Sequence, residues 1–210
     1  MVRGCRRSGF FFTLQWARAG APSRIMSTLD TRFGFDGFSR SLSLDYANAV
    51  NRLALRSDGQ IVIAGADSSN GSILVQLITP SGHIESTWGK NGTVLLNEPP
   101  ASDSLAGLYV QGNGKILIGF TSVQPMEFAS LRLTFAGTLD ALYGENGVAL
   151  VNHAPTGEFD DVISLPDGKI LAGGALHQND ADVALLARYN SDGSLDNTFG
   201  DADRVRKHNR

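Results

Sequence analysis

The stretch LDTRFGFDG at Leu29–Gly37 decides the fold, because it returns as IESTWGKNG at Ile84–Gly92 and as LDALYGENG at Leu139–Gly147. A partial fourth copy, LDNTFGDAD, occupies Leu195–Asp203, so the period is near 55 residues. Repeats of roughly 40 to 55 residues that combine strand-like runs with turn signals are typical of β-propellers. The sequence therefore predicts an all-β, propeller-like array of four-stranded antiparallel blades.

The repeats divide the chain into three parts: a basic leader at 1–28, a repeat domain at 29–205 and a basic tail at 206–210. The repeat domain contains three full units and a truncated fourth, at 29–83, 84–138, 139–194 and 195–205. We expect a single core, since a 210-residue chain with 42% hydrophobic residues can bury roughly 70% of its unfolded surface.

Charge is distributed unevenly along the chain. The net charge is −3, but residues 30–203 carry 9 basic against 21 acidic residues, or −12. An acidic body repels phosphate backbones, so the sequence predicts no nucleic-acid partner. No apolar run approaches the roughly 18 residues of a membrane-spanning helix, and no transmembrane segment is predicted.

The leader is open to several interpretations. Its basic start, the apolar run Phe10–Trp16 and the site Ala17-Arg18-Ala19 have the outline of a secretory signal. An Arg-rich segment without acids also fits a transit peptide or a disordered tail. The favoured interpretation places the natural start at Met26, because MSTLD runs directly into the first repeat. The single cysteine, Cys5, lies in this leader, so we expect neither a disulfide framework nor a thiolate metal site.

Each unit contains strand-like runs in a fixed order. The run after the repeated motif is interpreted as the first strand of a blade, at Phe38–Leu44, Thr93–Asn97 and Val148–Asn152. The second run alternates, and this pattern places two apolar side chains on one face. These pairs are Leu53 and Leu55, Leu108 and Val110, and, if one residue is deleted before Pro166, Ile163 and Leu165.

The remaining two runs are the third and fourth strands of each unit, and the third is joined to the second by a hairpin turn. The third run is apolar on both faces, as expected of a strand covered by neighbouring sheets, at Ile61–Gly65, Ile116–Phe120 and Ile170–Gly174. The dipeptide before it predicts a two-residue type I′ turn, at Asp58-Gly59, Asn113-Gly114 and Asp167-Gly168. The fourth run, at Ile73–Ile78, Ala129–Thr134 and Ala184–Asn190, ends in turns at Ser81-Gly82, Ala136-Gly137 and Asp192-Gly193.

The repeated motif is predicted to join consecutive blades. Its acid bonds backbone amides in a turn, its aromatic residue packs between blades and its glycine lets the chain bend. The acids are Asp30, Glu85, Asp140 and Asp196, and the aromatic residues are Phe33, Trp88, Tyr143 and Phe199. A ring of such acids around a ligand is the less favoured alternative.

The motif, together with PDGKI at Pro166–Ile170 and ARYNSDGSLDNTFG at Ala187–Gly200, resembles the delta-60 repeat, whose bacterial members form β-propeller-like domains. The resemblance covers about residues 29–205, although Asp203 replaces the glycine that ends the earlier copies. Because this family is common in surface-associated or secreted proteins, the resemblance implies an extracellular or cell-surface location. A start at Met26 instead implies a cytoplasmic protein. The resemblance brings no catalytic motif with it.

Three full units fall short of the roughly four to eight blades that close a propeller. An unclosed array of three exposes apolar end faces. Three arrangements would account for this. The favoured one is that the chain is a fragment of a longer propeller. The others are a homo-oligomer of two copies that completes a six-bladed ring, and an open arc capped by the tails of the chain.

No residue is assigned to catalysis, to cofactor binding or to metal binding, and no cofactor is expected. His83, His153, His177 and His208 are expected in exposed turns or tails, without the spacing of a metal site. Asp160-Asp161 and Asn179–Asp182 are expected in solvated blade-edge loops, because neither has the pattern of a calcium loop. Neither a GxSxG elbow nor a nucleotide-binding pattern occurs.

Two classes of function remain. The favoured one is a non-catalytic repeat scaffold or recognition module whose rim and channel loops bind a protein or a carbohydrate. The alternative is a propeller-type hydrolase or lyase with a site at the channel mouth, which needs unlike polar groups from different blades to converge. The irregular insertions carry mostly Ala, Ser, Asn and Pro, which favours the scaffold.

Overall fold

The computed structural model describes residues 29–39, 52–67, 69–97, 100–123, 126–150, 157–178 and 181–200. These ranges contain strands and turns and no helix, which confirms the prediction of an all-β chain. The strands are β1 (Arg52–Leu55), β2 (Ile61–Ala66), β3 (Ile73–Ile78), β4 (Thr93–Leu96), β5 (Ala101–Val110), β6 (Ile116–Val123), β7 (Met126–Leu133), β8 (Val148–Leu150), β9 (Gly157–Ser164), β10 (Ile170–Gln178) and β11 (Ala181–Tyr189).

The strands form three antiparallel sheets in which sequence neighbours pair, as in the blades of a propeller. Sheet 1 is β1–β4, sheet 2 is β5–β8 and sheet 3 is β9–β11. The first strands of the sheets adjoin one another, since β5 contacts both β1 and β9. The propeller-like architecture is therefore confirmed.

The strand after the repeated motif closes a blade instead of opening one. β4 pairs with β3, and β8 pairs with β7. The prediction that Thr93–Asn97 and Val148–Asn152 begin a blade was therefore wrong. The motif is a compact loop between the third and fourth strands, and it returns the chain beside the strand that precedes it. Most of the run Phe38–Leu44 lies outside the described residues.

The hairpin between β1 and β2 contains a type I turn followed by a glycine bulge. The amide of Gly59 donates to the carbonyl of Arg56 at 3.0 Å, and Gly59 has a φ of 83°. The described non-glycine residues with positive φ are Asp36, Asn91 and Asn146, so Asp58 keeps a negative φ. Its carboxylate accepts the amide of Gln60 at 3.0 Å instead. The type I′ prediction was wrong, because this turn needs only one left-handed residue.

The one-residue deletion in the third unit lies nearer the start of the unit than the sequence predicted. Leu53 pairs with Ile63, Leu108 with Ile118 and Val162 with Ala172. Leu53, Leu108 and Val162 therefore take equivalent places in their sheets. Val162 is 1% exposed, whereas Ile163 is 38% exposed. The assignment of Ile163 and Leu165 was therefore wrong by one position, and Val162 and Ser164 take their places. A slip of one residue turns every side chain to the other face of a strand.

Apolar side chains between neighbouring sheets form the core. We call the face of a sheet that is turned to the preceding sheet its leading face, and the opposite one its trailing face. One cluster joins the trailing face of sheet 1 to the leading face of sheet 2, and it includes Val62, Val75, Leu77, Leu108, Ile118 and Leu131. A second cluster joins sheets 2 and 3, and it includes Leu117, Tyr143, Val162, Ile170 and Ala172.

The central strands show the effect of this stacking. β6 is buried on both faces up to its last residue, because sheet 2 lies between two others. Ile61 and Ile63 of β2 are only half-buried, as is Leu171 of β10, and each lies on the face without a neighbouring sheet. The predicted burial of both faces is thus confirmed for Ile116–Phe120 alone.

Substitution of Gly137 by alanine tests the contact between a turn and the aromatic residue of the preceding motif. Gly137 has a φ of 85°, and an added Cβ would lie 2.7 Å from Cε2 of Trp88. We expect Gly137→Ala to lower the free energy of unfolding by about 2 to 4 kcal/mol, measured by urea denaturation.

Two other glycines are matched controls. Gly200 has a φ of 79° but nothing within 4 Å of an added Cβ, so Gly200→Ala should cost only about 1 kcal/mol. Gly112 has neither constraint, and Gly112→Ala should stay within about 0.5 kcal/mol of the wild type. Equal losses at positions 137 and 200 would contradict the contact with Trp88.

Candidate functional site

The motifs of sheets 1 and 2 each pack onto a turn of the following sheet. The amide of Gly144 donates to the carbonyl of Asp192 at 2.7 Å, and that of Gly89 donates to the carbonyl of Ala136 at 3.4 Å. The ring of Tyr143 covers Gly193, where an added Cβ would lie 3.0 Å from the ring. The predicted role of the aromatic residue between blades is therefore confirmed.

Two cations of the same sheet hold the motif acid Asp140. Its Oδ2 accepts hydrogen bonds from Nζ of Lys115 at 2.7 Å and from Nε of Arg132 at 2.6 Å. Its Oδ1 accepts the amide of Leu142 at 3.3 Å, which confirms the predicted bond to a backbone amide. Lys115 follows the β5–β6 hairpin and Arg132 lies on β7, so one carboxylate ties together three parts of the sheet. We call this arrangement of one acid and two cations the clamp.

Sheet 3 repeats the clamp with the corresponding residues. Oδ2 of Asp196 accepts from Nζ of Lys169 at 2.7 Å and from Nε of Arg188 at 2.8 Å. Its Oδ1 accepts the amide of Thr198 at 3.0 Å and the hydroxyl of the same residue at 2.6 Å. The guanidinium carbon of Arg188 lies 4.5 Å from the centre of the Phe199 ring, a cation–π contact.

The motif of sheet 1 has the same backbone geometry without the cations. Gln60 and Leu77 stand where the later sheets have lysine and arginine, and Glu85 replaces the aspartate. Oε1 of Glu85 accepts the amide of Thr87 at 3.2 Å. The indole N–H of Trp88 donates to the carbonyl of Phe135 on sheet 2 at 3.0 Å. The repeat therefore conserves the contact between sheets while the clamp changes.

Arg132 connects the clamp to the next sheet. Besides its bond to Asp140, its Nη1 donates to the carbonyl of Ser191 at 2.5 Å. Its guanidinium carbon also lies 4.5 Å from the centre of the Tyr143 ring. The hydroxyl of Tyr143 is 2.6 Å from that of Ser130, so this buried phenol has a hydrogen-bond partner within its own sheet. Displacement of Asp140 would therefore disturb the joint between sheets as well as its own loop.

The clamp keeps its acids ionised. Burial favours the neutral form of Asp140, but the hydrogen bonds from Lys115 and Arg132 outweigh it, so its pKa lies below the ordinary value. Hydrogen bonds from Lys169 and Thr198 hold the pKa of Asp196 well below its usual range. Burial raises the pKa of Tyr143 to about 12. None of these groups exchanges a proton near neutral pH, as a general acid or base must.

The first strands of the sheets carry a second polar cluster. The guanidinium of Arg52 donates through Nε and Nη2 to the carbonyl of Ala106, each at 3.4 Å. Ala106 is the extra residue of a bulge in β5, and Asp160 takes the same place in β9. Burial and the neighbouring Asp161 raise the pKa of Tyr109, although Arg52 opposes this shift. Bulges of this kind terminate regular pairing and redirect side chains.

Several residues noted in the sequence lie in other places than expected. Asp160 and Asp161 are exposed on strand β9. His177 of β10 is paired with Asp182 of β11. All four residues therefore lie on strands, and their assignment to loops or turns was wrong. His83 is exposed in a turn, as predicted, with its ring 5.8 Å from that of Phe35. His153, His208, Asn179 and Asp180 lie outside the described residues. No group of three metal-ligating side chains comes together in the part of the chain that the structure describes.

The cations of the clamp were missed by the sequence prediction. Lys115 is 25 residues from Asp140 and Arg132 is 8 residues from it, so no local motif contains all three. A signal was nevertheless present, because Lys115 and Lys169, like Arg132 and Arg188, recur at the period of the motif. A charged residue that recurs in successive repeats together with an opposite charge indicates an ion pair that is repeated in the structure.

Comparison with protein families supports the fold. A family model described as "Domain of unknown function (DUF5122) beta-propeller" matches residues 165–199. This segment contains all the members of the clamp of sheet 3 and Phe199, and it indicates a β-propeller-like repeat family. A search of curated proteins gave no match. The described ranges contain no helix of the length and apolarity needed to cross a bilayer.

Substitution of the clamp acid should cost far more than substitution of its counterpart in sheet 1. Asp140→Asn leaves Lys115 and Arg132 without a carboxylate, and we expect a loss of about 3 kcal/mol in the free energy of unfolding at pH 7. Glu85→Gln is the matched control, since no cation binds Glu85 among the described residues, and it should cost far less than Asp140→Asn. Urea denaturation measures both. Equal losses would show that the cations do not stabilise the array.

The lowered pKa values of Asp140 and Asp196 predict acid sensitivity. Both groups bind protons less readily in the folded chain than in the unfolded chain, so their contribution is complete above the unfolded pKa near 4 and is lost as pH falls through the folded values. The free energy of unfolding should therefore fall below about pH 5 more steeply in the wild type than in an Asp140→Asn, Asp196→Asn double variant. Urea titrations at several pH values measure this difference. Parallel pH profiles would contradict it.

Proposed function

We propose that the chain is a delta-60-type repeat protein that acts as a non-catalytic scaffold or recognition module. The observation that carries the proposal is the use of its buried acids. Among the side chains whose burial the structure describes, three acids are buried, Asp67, Asp140 and Asp196. Asp140 and Asp196 hold the clamps, and Asp67 accepts the amide and the hydroxyl of Ser69 at 2.8 and 2.7 Å. Each is therefore committed to local structure.

The distribution of charge favours certain partners. The body carries −12 between residues 30 and 203, and several exposed acids, such as Asp160 and Asp161, lie on its surface. A field of this sign attracts basic groups and repels polyanions. We therefore expect a neutral carbohydrate or a basic protein segment as the partner, and an acidic polysaccharide is disfavoured.

A hydrolase or lyase would need a different arrangement of side chains. Glycoside hydrolysis uses two carboxyl groups at a set separation, one of them with a raised pKa. The acids whose pKa values are shifted in the described residues are all shifted downward: Asp30, Glu85, Asp140, Asp192 and Asp196. Downward shifts favour permanent ionisation and thus a structural use.

A combined binding and turnover assay separates the two classes. The purified chain would be run in native gels that contain a neutral glucan, a neutral galactan, cationic chitosan or anionic polygalacturonate. Released reducing ends and absorbance from unsaturated products would be measured in the same mixtures. We expect retardation by a neutral or cationic polymer without release of product. Product released by the native chain but not by a heat-unfolded control would contradict a non-catalytic role.

A further inference from the structure

The trailing face of sheet 3 is uncovered, although the same positions are buried in the other sheets. Leu186 is 55% exposed, whereas the equivalent Val75 and Ser130 are 0% and 2% exposed. Phe199 is half-buried, whereas the aromatic residues at its place in the earlier motifs, Trp88 and Tyr143, are buried. This face is therefore built like an interior face, but no sheet of the described residues lies against it.

The leading face of sheet 1 is exposed along strand β1, although Gln76 and Ile78 of β3, which lie on the same face, are buried. Leu53 is 72% exposed, whereas the equivalent Leu108 and Val162 are 6% and 1% exposed. Leu55, two residues along the same strand face, is 67% exposed. Large apolar side chains that are exposed together in this way mark surfaces of interaction.

Within the chain, a trailing face packs onto a leading face twice, once between sheets 1 and 2 and once between sheets 2 and 3. We propose that the trailing face of sheet 3 docks onto the leading face of sheet 1 of a second copy of this chain. Such a head-to-tail contact closes into a ring if each copy uses both faces. Two copies would bring six sheets together, within the roughly four to eight of closed propellers. This inference is independent of any ligand.

A hydrogen bond repeated in the interior supports the pairing. At both interior joints a side-chain N–H of one sheet donates to an equivalent carbonyl in the next, Trp88 to Phe135 and Arg132 to Ser191. Arg188 is the equivalent of Arg132, and within the described residues its guanidinium bonds only Asp196, through Nε. The equivalent acceptor on sheet 1 is the carbonyl of Pro80. Arg188 is thus placed to donate to Pro80 of the second copy.

The first motif of the chain occupies part of the docking face. The amide of Gly34 donates to the carbonyl of Ser81 at 2.7 Å, beside Pro80. Its acid, Asp30, is 58% exposed and pairs with Arg32, whereas the side chain of Asp196 in the fourth motif is 4% exposed and is held by two cations. The fourth motif is therefore the better anchored, and it displaces the first motif from this turn in the pair.

Sedimentation velocity over roughly 1 to 100 µM tests the proposal. We expect the wild type to sediment with twice the 22.4 kDa mass of the chain, and Leu53→Glu and Leu186→Glu each to sediment as monomers with unchanged circular dichroism. Leu142→Glu is the matched control, because Leu142 is 81% exposed beside an interior joint and stays outside such contacts. An equimolar mixture of the Leu53→Glu and Leu186→Glu variants should recover a heterodimer, since it retains one intact pair of faces.

Two results would overturn the proposal. One is a wild type that stays at 22.4 kDa across the whole concentration range. The other is a dimer that Leu186→Glu abolishes and Leu53→Glu leaves intact, because it would show that two trailing faces meet. A dimer that both variants leave intact would place the interface elsewhere, and it would overturn the proposal equally.

Discussion

The carboxylate of Asp140 is the group on which the joint between sheets 2 and 3 depends. Its bonds to Lys115 and Arg132 fix the motif loop to its own sheet, and this fixed loop sets Tyr143 and Gly144 against the next turn. Arg132 then continues to the carbonyl of Ser191. A buried acid with a lowered pKa stabilises only while both cations remain in place. The joint therefore couples the clamp to the motif loop and to the next turn, beside the apolar cluster that the two sheets share.

The stacking of the sheets explains why no single sheet is sufficient. Sheet 2 buries both of its faces, whereas sheets 1 and 3 each bury one and expose large apolar residues on the other. In arrays of repeats, the stability is the sum of what each repeat contributes by itself and what the contacts between neighbouring repeats contribute. Because each trailing face packs onto the next leading face, the array ends in an unpaired leading face on sheet 1 and an unpaired trailing face on sheet 3. A second copy that presents the complementary face satisfies both of them with contacts that already occur inside the chain.

The sequence predicted what repeats locally. The acid, the aromatic residue and the glycine of the motif each have a role that depends on a few neighbouring residues, and the structure confirms these roles. The clamp cations were beyond such reasoning, because Lys115 and Arg132 meet Asp140 only when the hairpin and β7 lie side by side. The error at Ile163 has another cause. Ile163 and Leu165 are both apolar, whereas Val162 is followed on its face by Ser164, so the apolar pattern favours the wrong register and only the partner strand selects the right one. The turn at Asp58-Gly59 was misassigned because the same dipeptide suits both turn types.

Hydrogen exchange at Gly144 tests the joint most directly. Gly144 lies on an exposed loop, so its amide has no protection except the hydrogen bond to Asp192 of the next sheet. If the joint is as described, this amide exchanges far more slowly than a loop amide without an acceptor, because exchange requires the joint to open. The amide of Gly200, at the equivalent place in the fourth motif, has no acceptor among the described residues and exchanges far faster in the monomeric Leu53→Glu variant. Rapid exchange at Gly144 would contradict the account, since it would mean that the motif does not hold consecutive sheets together.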